Sequence, residues 1–247
     1  MPHSPETLWL GVNPSLRHFD QRLCRLLSRQ VDIHYWSYQQ TQDEPCCMQT
    51  ALDLLDDYLR PQPQPLHLIG HGLSGAVGLL YARLHPARVR SLTLLSVGDN
   101  PAVSWHAHYY ALRNRLPCDR QMILMQMANL LFGCRNPTQM AALAKLLEQI
   151  LDRELAPHSL AAHHRFSPGG VDVPLLVCNG AHDAIVDPNA HSRWQPWLHS
   201  GDRLWTCPEG RHFFHYTHAP KTSPIILDFW QQTPSSMVGA PLIEIIS

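Results

Sequence analysis

Charge of one sign is not in excess in this chain. Its 247 residues carry 19 Lys and Arg against 20 Asp and Glu, a formal charge of -1. No basic stripe of the kind that holds a phosphate backbone runs through it, so nucleic acid is not an expected partner. Long apolar runs are missing as well. Nothing approaches the roughly 20 residues of a membrane span, and no basic segment followed by an apolar signal core opens the sequence. A transmembrane segment is therefore not expected, and a cytoplasmic location is. The seven cysteines (Cys24, Cys46, Cys47, Cys118, Cys134, Cys178 and Cys207) include no CxxC pair, which argues against zinc or thiol redox chemistry and leaves them as small hydrophobes. The 17 histidines are many but scattered. No helix gathers them as HxxxH or HExxH, so neither a metal centre nor another cofactor is expected.

What is present is a hydrophobic content of 45%, enough for one sizeable core and too little for two full-sized domains at this length. Short apolar runs alternate with helix-like segments. Strands are expected at Leu8–Val12, Val31–Trp36, Leu66–Ile69 and Val89–Val97, with helices at Leu16–Leu27, Met48–Leu59 and Leu73–Leu84 between them. This βαβ rhythm predicts an α/β fold with a mostly parallel sheet. In the first helix Leu16, Phe19, Leu23, Leu26 and Leu27 recur at three and four, opposite a solvated face of Arg17, Arg22, Arg25 and Arg29. The run Pro61–Pro65 is a spacer that feeds the third strand.

The rhythm breaks over Pro101–Pro168. Helical patterns at Trp105–Leu116, Arg120–Phe132, Thr138–Leu155 and Ser159–Phe166 make this stretch a helical lid. It resumes with a strand at Val173–Cys178, a helix at Asn189–Leu198, a strand at Arg203–Cys207 and a last helix from Lys221 to Gln231. The organisation is a core in two parts, residues 1–100 and 169–232, split by a lid at 101–168 and followed by a tail at 233–247.

Three loops at the carboxyl ends of strands hold unusual residues, where an open parallel sheet places its site. They are Gly70–Gly75 with Ser74, Gly180–Pro188 with Asp183, and Glu209–His215 with His212. Ser, Asp and His thus follow one another in chain order. On these residues, and on His85 and Pro86 after the third helix, the chain resembles the α/β-hydrolase superfamily over nearly its whole length. That family carries its triad in this order, with the nucleophile on a sharp strand-to-helix elbow. The resemblance implies that His212 is the general base and that Asp183 orients it. It further implies a serine hydrolase acting on an ester, thioester or similar carbonyl substrate, small and lipophilic, with Ser74 as nucleophile.

The family motif GxSxG fits in two registers. In the first, Gly72-Leu73-Ser74-Gly75-Ala76 is the elbow and Ser74 its vertex. In the second, Gly70-His71-Gly72-Leu73-Ser74 is the elbow and the vertex is Gly72, which has no side chain. Both keep small residues two positions either side of the vertex. The gap-free match of Gly70–Gly75 to His85-Pro86 favours the second, and a vertex at positive φ suits glycine. Ser74 then becomes a capping or packing serine in the first helical turn.

The oxyanion donors implied by the family are Val12 N–H, from the loop Leu10-Gly11-Val12-Asn13-Pro14, and either Leu73 or Gly75 according to register. Leu10 stands where the family has a loop-steadying histidine. Asp99 is the weaker alternative to Asp183 as the acid. Asp187 reads as a helix cap before Pro188, His71 as a packed or hydrogen-bonded residue, and His215 and His218 as surface or lid-facing. Met122, Met125, Met127, Leu131, Trp105, Tyr109 and Tyr110 pack the lid. Three functions stand side by side: a Ser-His-Asp hydrolase, a His-Asp general-base lyase with no covalent intermediate, and a catalytically silent hydrolase fold that binds a ligand or partner.

Overall fold

A computed structural model describes residues 6–38, 43, 47–99, 104–134, 136–153, 167–186 and 189–233. Six parallel strands form one sheet in the order β2-β1-β3-β4-β5-β6. They are β1 (Thr7–Gly11), β2 (Ile33–Ser37), β3 (Leu66–His71), β4 (Val89–Leu95), β5 (Leu175–Gly180) and β6 (Arg203–Cys207). Between them run α1 (Arg17–Leu27), α2 (Met48–Leu59), α3 (Leu73–Leu84), α4 (Trp105–Arg115), α5 (Arg120–Phe132), α6 (Pro137–Arg153) and α7 (Ala190–Trp194), and the chain continues with α8 (Phe214–Thr217) and α9 (Ala219–Gln232). The architecture is the one that the resemblance implies: a parallel sheet flanked by helices on both faces.

Strand periodicity explains why two cores form. Successive side chains of a strand point to opposite faces. Leu8, Leu10, Leu66, Leu68, Leu92, Leu94, Leu175 and Val177 face α2 and α3, in a cluster that also holds Leu55, Val77, Tyr81 and Trp194. Trp9, Ile69, Leu95, Leu176 and Cys178 face α1 and α9, where Leu23, Leu27, Ile226 and Trp230 meet them. A third cluster joins α4, α5 and α6 through Trp105, Tyr109, Met127 and Leu131, and reaches the body through Phe19, Ile185 and Phe213. Met122 and Tyr110, expected to pack in this layer, are exposed.

The expected helix at Asn189–Leu198 is split, because Pro196 closes α7 and opens a single 3-10 turn over Gln195–Trp197. The last helix begins two residues early, with Pro220 in its first turn, where a missing N–H costs nothing. The expected helix at 159–166, the Asp187–Pro188 cap and the tail beyond residue 233 lie outside the described residues. No helix among the described residues is long and apolar enough to cross a membrane.

After β1 the chain goes to one side to add β2, and after α2 it returns past β1 to begin building the other side. The loops that follow β1 and β3 therefore part at a topological switch point, the crevice where open α/β sheets bind ligands. Beside that crevice β3 and α3 touch backbone to backbone. A Cβ on Gly70 stands 2.7 Å from Gly75 N and 2.8 Å from Ser74 C. Gly70→Ala is accordingly expected to lower stability by about 1–3 kcal/mol through overpacking that no side-chain rotation relieves. Urea unfolding of the variant measures it, and an unchanged midpoint refutes the direct contact.

Candidate active site

The loops after β5 and β6 are laced together before any chemistry is considered. Ala181 N donates to Cys207 O at 2.9 Å and His182 N to Gly210 O at 2.8 Å. Gly180 allows this approach, since a Cβ there sits 2.5 Å from Gly210 O. The lacing brings Asp183 and His212 together, 29 residues apart in the chain. His212 Nδ1 lies 3.0 Å from Asp183 Oδ2 and 3.2 Å from Oδ1, and the two residues are 2% and 3% exposed.

Asp183 Oδ1 also accepts from Ile185 N at 2.8 Å and Val186 N at 3.0 Å. Burial on its own pushes this carboxyl up, but the His212 ring beside it and the two amides outweigh burial and hold it below the usual carboxylate range. An ionised carboxylate only accepts, so the His212 proton sits on Nδ1 and the Nε2 lone pair is left to act as a base. The backbone of His212 is fixed as well. Its carbonyl accepts from Ser96 Oγ at 2.7 Å and from His71 Nε2 at 3.0 Å.

The elbow resolves the two registers. Gly72, with φ +51° and ψ -123°, is the bend between β3 and α3, in a region that side-chain-bearing residues rarely adopt. A Cβ on Gly72 has one heavy atom within 4 Å, His212 Nε2 at 3.9 Å. The bend therefore faces His212 Nε2 and carries no hydroxyl. Ser74 lies two residues further on, inside α3 and 9% exposed. Its Oγ accepts from Val12 N at 3.1 Å and has no hydrogen bond to His212 among the described residues. Of the expected oxyanion donors, Leu73 follows the vertex in the first turn of α3, where no intrahelical acceptor exists for its N–H. Gly75 packs on Gly70 and Val97 instead.

Val12, Asn13, Gly72, Ser74, Trp105 and His212 are among the walls of a chamber of about 50 Å³. Asn13 Oδ1 is buried there with no hydrogen-bond partner among the described residues. A much larger cleft, about 1010 Å³, runs along Phe19, Phe132, Leu143, Leu146, Arg211 and Tyr216. It is lined by neither His212 nor Asp183, so size does not mark the chemistry. Of the two candidate acids, Asp183 and Asp99, it is Asp183 whose carboxylate lies on His212.

A second buried histidine-carboxylate pair adjoins the first and was not expected. His215, read from sequence as surface or lid-facing, is 0% exposed. Its Nε2 lies 3.1 Å from Asp20 Oδ1, and Tyr35 OH reaches Asp20 Oδ2 at 3.4 Å. The His71 ring stands between the pairs, with its centroid 4.7 Å from that of His212 and 4.5 Å from that of His215. Burial, then the neighbouring His215 and His212, holds His71 well below its ordinary value. It is a neutral spacer that donates to the His212 carbonyl. The available signal was Asp20 beside Phe19 on the inward face of α1, with His215 three residues after His212.

No protein-family model matches the chain. It is 44% identical to Uncharacterized protein sll0249 of Synechocystis sp. over 231 residues, 94% of this chain and 92% of that protein. It is 37% identical to Uncharacterized protein alr2406 of Nostoc sp. over 230 residues, 92% of this chain and 90% of that one. Among solved structures it is similar to a meta-cleavage product hydrolase from Pseudomonas fluorescens, with a TM-score of 0.71, 10% identity, and coverage of 92% and 91% of the two chains. A thermophilic esterase gives a TM-score of 0.71 at 14% identity, with coverage of 93% and 90%. The chain therefore belongs to one family with the Synechocystis and Nostoc proteins, and that family has the α/β-hydrolase fold.

Proposed function

We propose that this chain hydrolyses a small ester, thioester or similar carbonyl substrate by general-base catalysis, with no acyl-enzyme. One observation carries the reading: the vertex that faces His212 Nε2 is Gly72, and the serine nearby has its hydroxyl on Val12 N–H. A general base needs a proton donor within reach. The chamber beside Gly72, about 50 Å³, has room for a water, for which roughly 15 Å³ of such volume suffices. In this scheme His212 takes a proton from that water as its oxygen bonds to the carbonyl carbon. Asp183 stabilises the imidazolium, and the proton then passes to the departing alkoxide or thiolate as the C–O or C–S bond breaks.

The chamber sets the substrate. Leu10, Val12, Leu16 and Trp105 give it apolar walls, and its volume admits a short acyl group. Longer groups require the first turn of α4, Ser104–His106, to move aside, which is the lid function assigned to the inserted helices.

A panel of short-chain esters and thioesters tests the reading in the wild-type chain. Activity is expected to survive a serine-directed fluorophosphonate, to show no burst, and to fall by about 10²–10⁴ in His212→Ala, the range for a general base. Fluorophosphonate attached to Ser74 with loss of turnover would establish the covalent route instead. A His212→Ala variant as active as wild type would remove the dyad from the chemistry.

A further inference from the structure

The family elbow is inverted in this chain, and the inversion gives Ser74 a task. The hydroxyl is missing at the vertex and present two residues later, where it occupies Val12 N–H, the donor that the resemblance assigns to the substrate oxygen. We propose that Ser74 is itself a catalytic residue, whose hydroxyl, backed by Val12 N–H, donates to the substrate's developing oxyanion alongside Leu73 N–H.

Four features support this. The backbone of Ser74 is held in place, because its carbonyl carbon lies against Gly70 at the β3–α3 contact. Its oxygen is already an acceptor, at 3.1 Å from Val12 N, and a hydroxyl that accepts is polarised into a better donor. Its proton has no acceptor among the described residues, while the side chain lines the same chamber as Gly72, Leu73 and His212. Finally, the chamber meets the start of a 12-residue helix, where unpaired amides and the helix dipole favour negative charge. The ligand chemistry is an oxygen that gains charge, as a carbonyl does on attack.

The inference rests on the proposed function only in placing a substrate oxygen at the start of α3, and it can be tested without the natural substrate. Diisopropyl fluorophosphate is a probe whose phosphoryl oxygen enters the oxyanion position. In Gly72→Ser the introduced hydroxyl attacks phosphorus, fluoride leaves, and the proton goes to His212. The rate of this labelling reads the donors around the oxygen.

Adding Ser74→Ala to Gly72→Ser is expected to slow labelling about a hundredfold, the usual loss for one oxyanion donor. An equal or faster rate in the double variant overturns the role of Ser74, and a faster one identifies it as a plug. A folded Gly72→Ser that takes no label overturns the common premise, and with it the proposed function. Should Gly72→Ser fail to fold, the wild-type elbow serves. Acetate, titrated against the His212 ring signals by NMR, is expected to bind at least about tenfold more weakly to Ser74→Ala than to wild type, a difference of one charge-assisted hydrogen bond. Equal affinity, or no saturable binding to wild type, overturns the proposal.

Discussion

Gly72→Ser is expected to raise hydrolysis of 4-nitrophenyl acetate at least about a hundredfold above wild type, because it sets a hydroxyl beside the Asp183–His212 pair in the arrangement of a Ser-His-Asp triad. The space is there, since a Cβ at position 72 meets only His212 Nε2, at 3.9 Å. From that Cβ one rotamer carries a hydroxyl toward the lone pair that Asp183 leaves available by holding the Nδ1 proton. The substitution has a cost that the wild type avoids. At φ +51° and ψ -123° a residue with a side chain is strained by about 1–3 kcal/mol, so the melting temperature is expected to fall. Gly72→Ala separates the two effects. It bears the same backbone strain without a hydroxyl, and is expected to be equally destabilised and no more active than wild type. Esterase activity equal in the serine and alanine variants would refute the assignment of the vertex.

The two registers of the elbow were both legible in the sequence, for a physical reason. An elbow needs small residues two places either side of its vertex, and Gly70 with Ser74 meets that need as well as Gly72 with Ala76 does. Composition alone could not separate the registers. The dihedral angles of Gly72 do.

Six strands and most helices were legible because alternation and the 3.6 period are local. The register of α1 and the gap between Leu84 and Val89 needed nothing distant. The one-turn helix Phe214–Thr217 was not legible, because four residues show no period. The Asp20–His215 pair was hidden for a different reason. Its members are 195 residues apart, and a carboxylate next to an apolar helix face looks like part of the solvated side until α8 and α9 are laid over it. The Asp183–His212 pair spans 29 residues and was legible because each member lies in a loop that follows a strand and in the chain order that the resemblance implies.

Acidification from pH 7 to pH 5 is expected to destabilise the fold, with His67 a contributor that one substitution isolates. His67 lies within β3, 3% exposed, with Nδ1 2.6 Å from Ser91 Oγ and its ring stacked on Trp230 at 5.3 Å. Burial, and then the Arg90 guanidinium, pushes it down to about 3. In the unfolded chain its ordinary value is about 6.5. Below that pH the unfolded state binds a proton that the folded state refuses, so stability falls as pH falls, and it keeps falling until the folded value is reached. At pH 5, 1.5 units below the unfolded value, the loss from this one group is about 2 kcal/mol at 1.36 kcal/mol per unit.

His71, held down by burial and by His215 and His212, moves stability in the same direction, as does the half-buried His108, where burial and then His212 act against protonation and Asp183 favours it. The depressed carboxyl of Asp183 acts with the same sign but only in more acid solution, below the ordinary carboxylate value, so this pH interval isolates the histidines. His67→Gln keeps a polar partner for Ser91 and removes the titration. Urea unfolding at pH 7 and pH 5 is expected to show wild type losing about 2 kcal/mol more over the interval than His67→Gln does. Equal losses in the two proteins would mean that His67 is protonated inside the sheet, and that the apolar contacts of Trp230 do not exclude its charge.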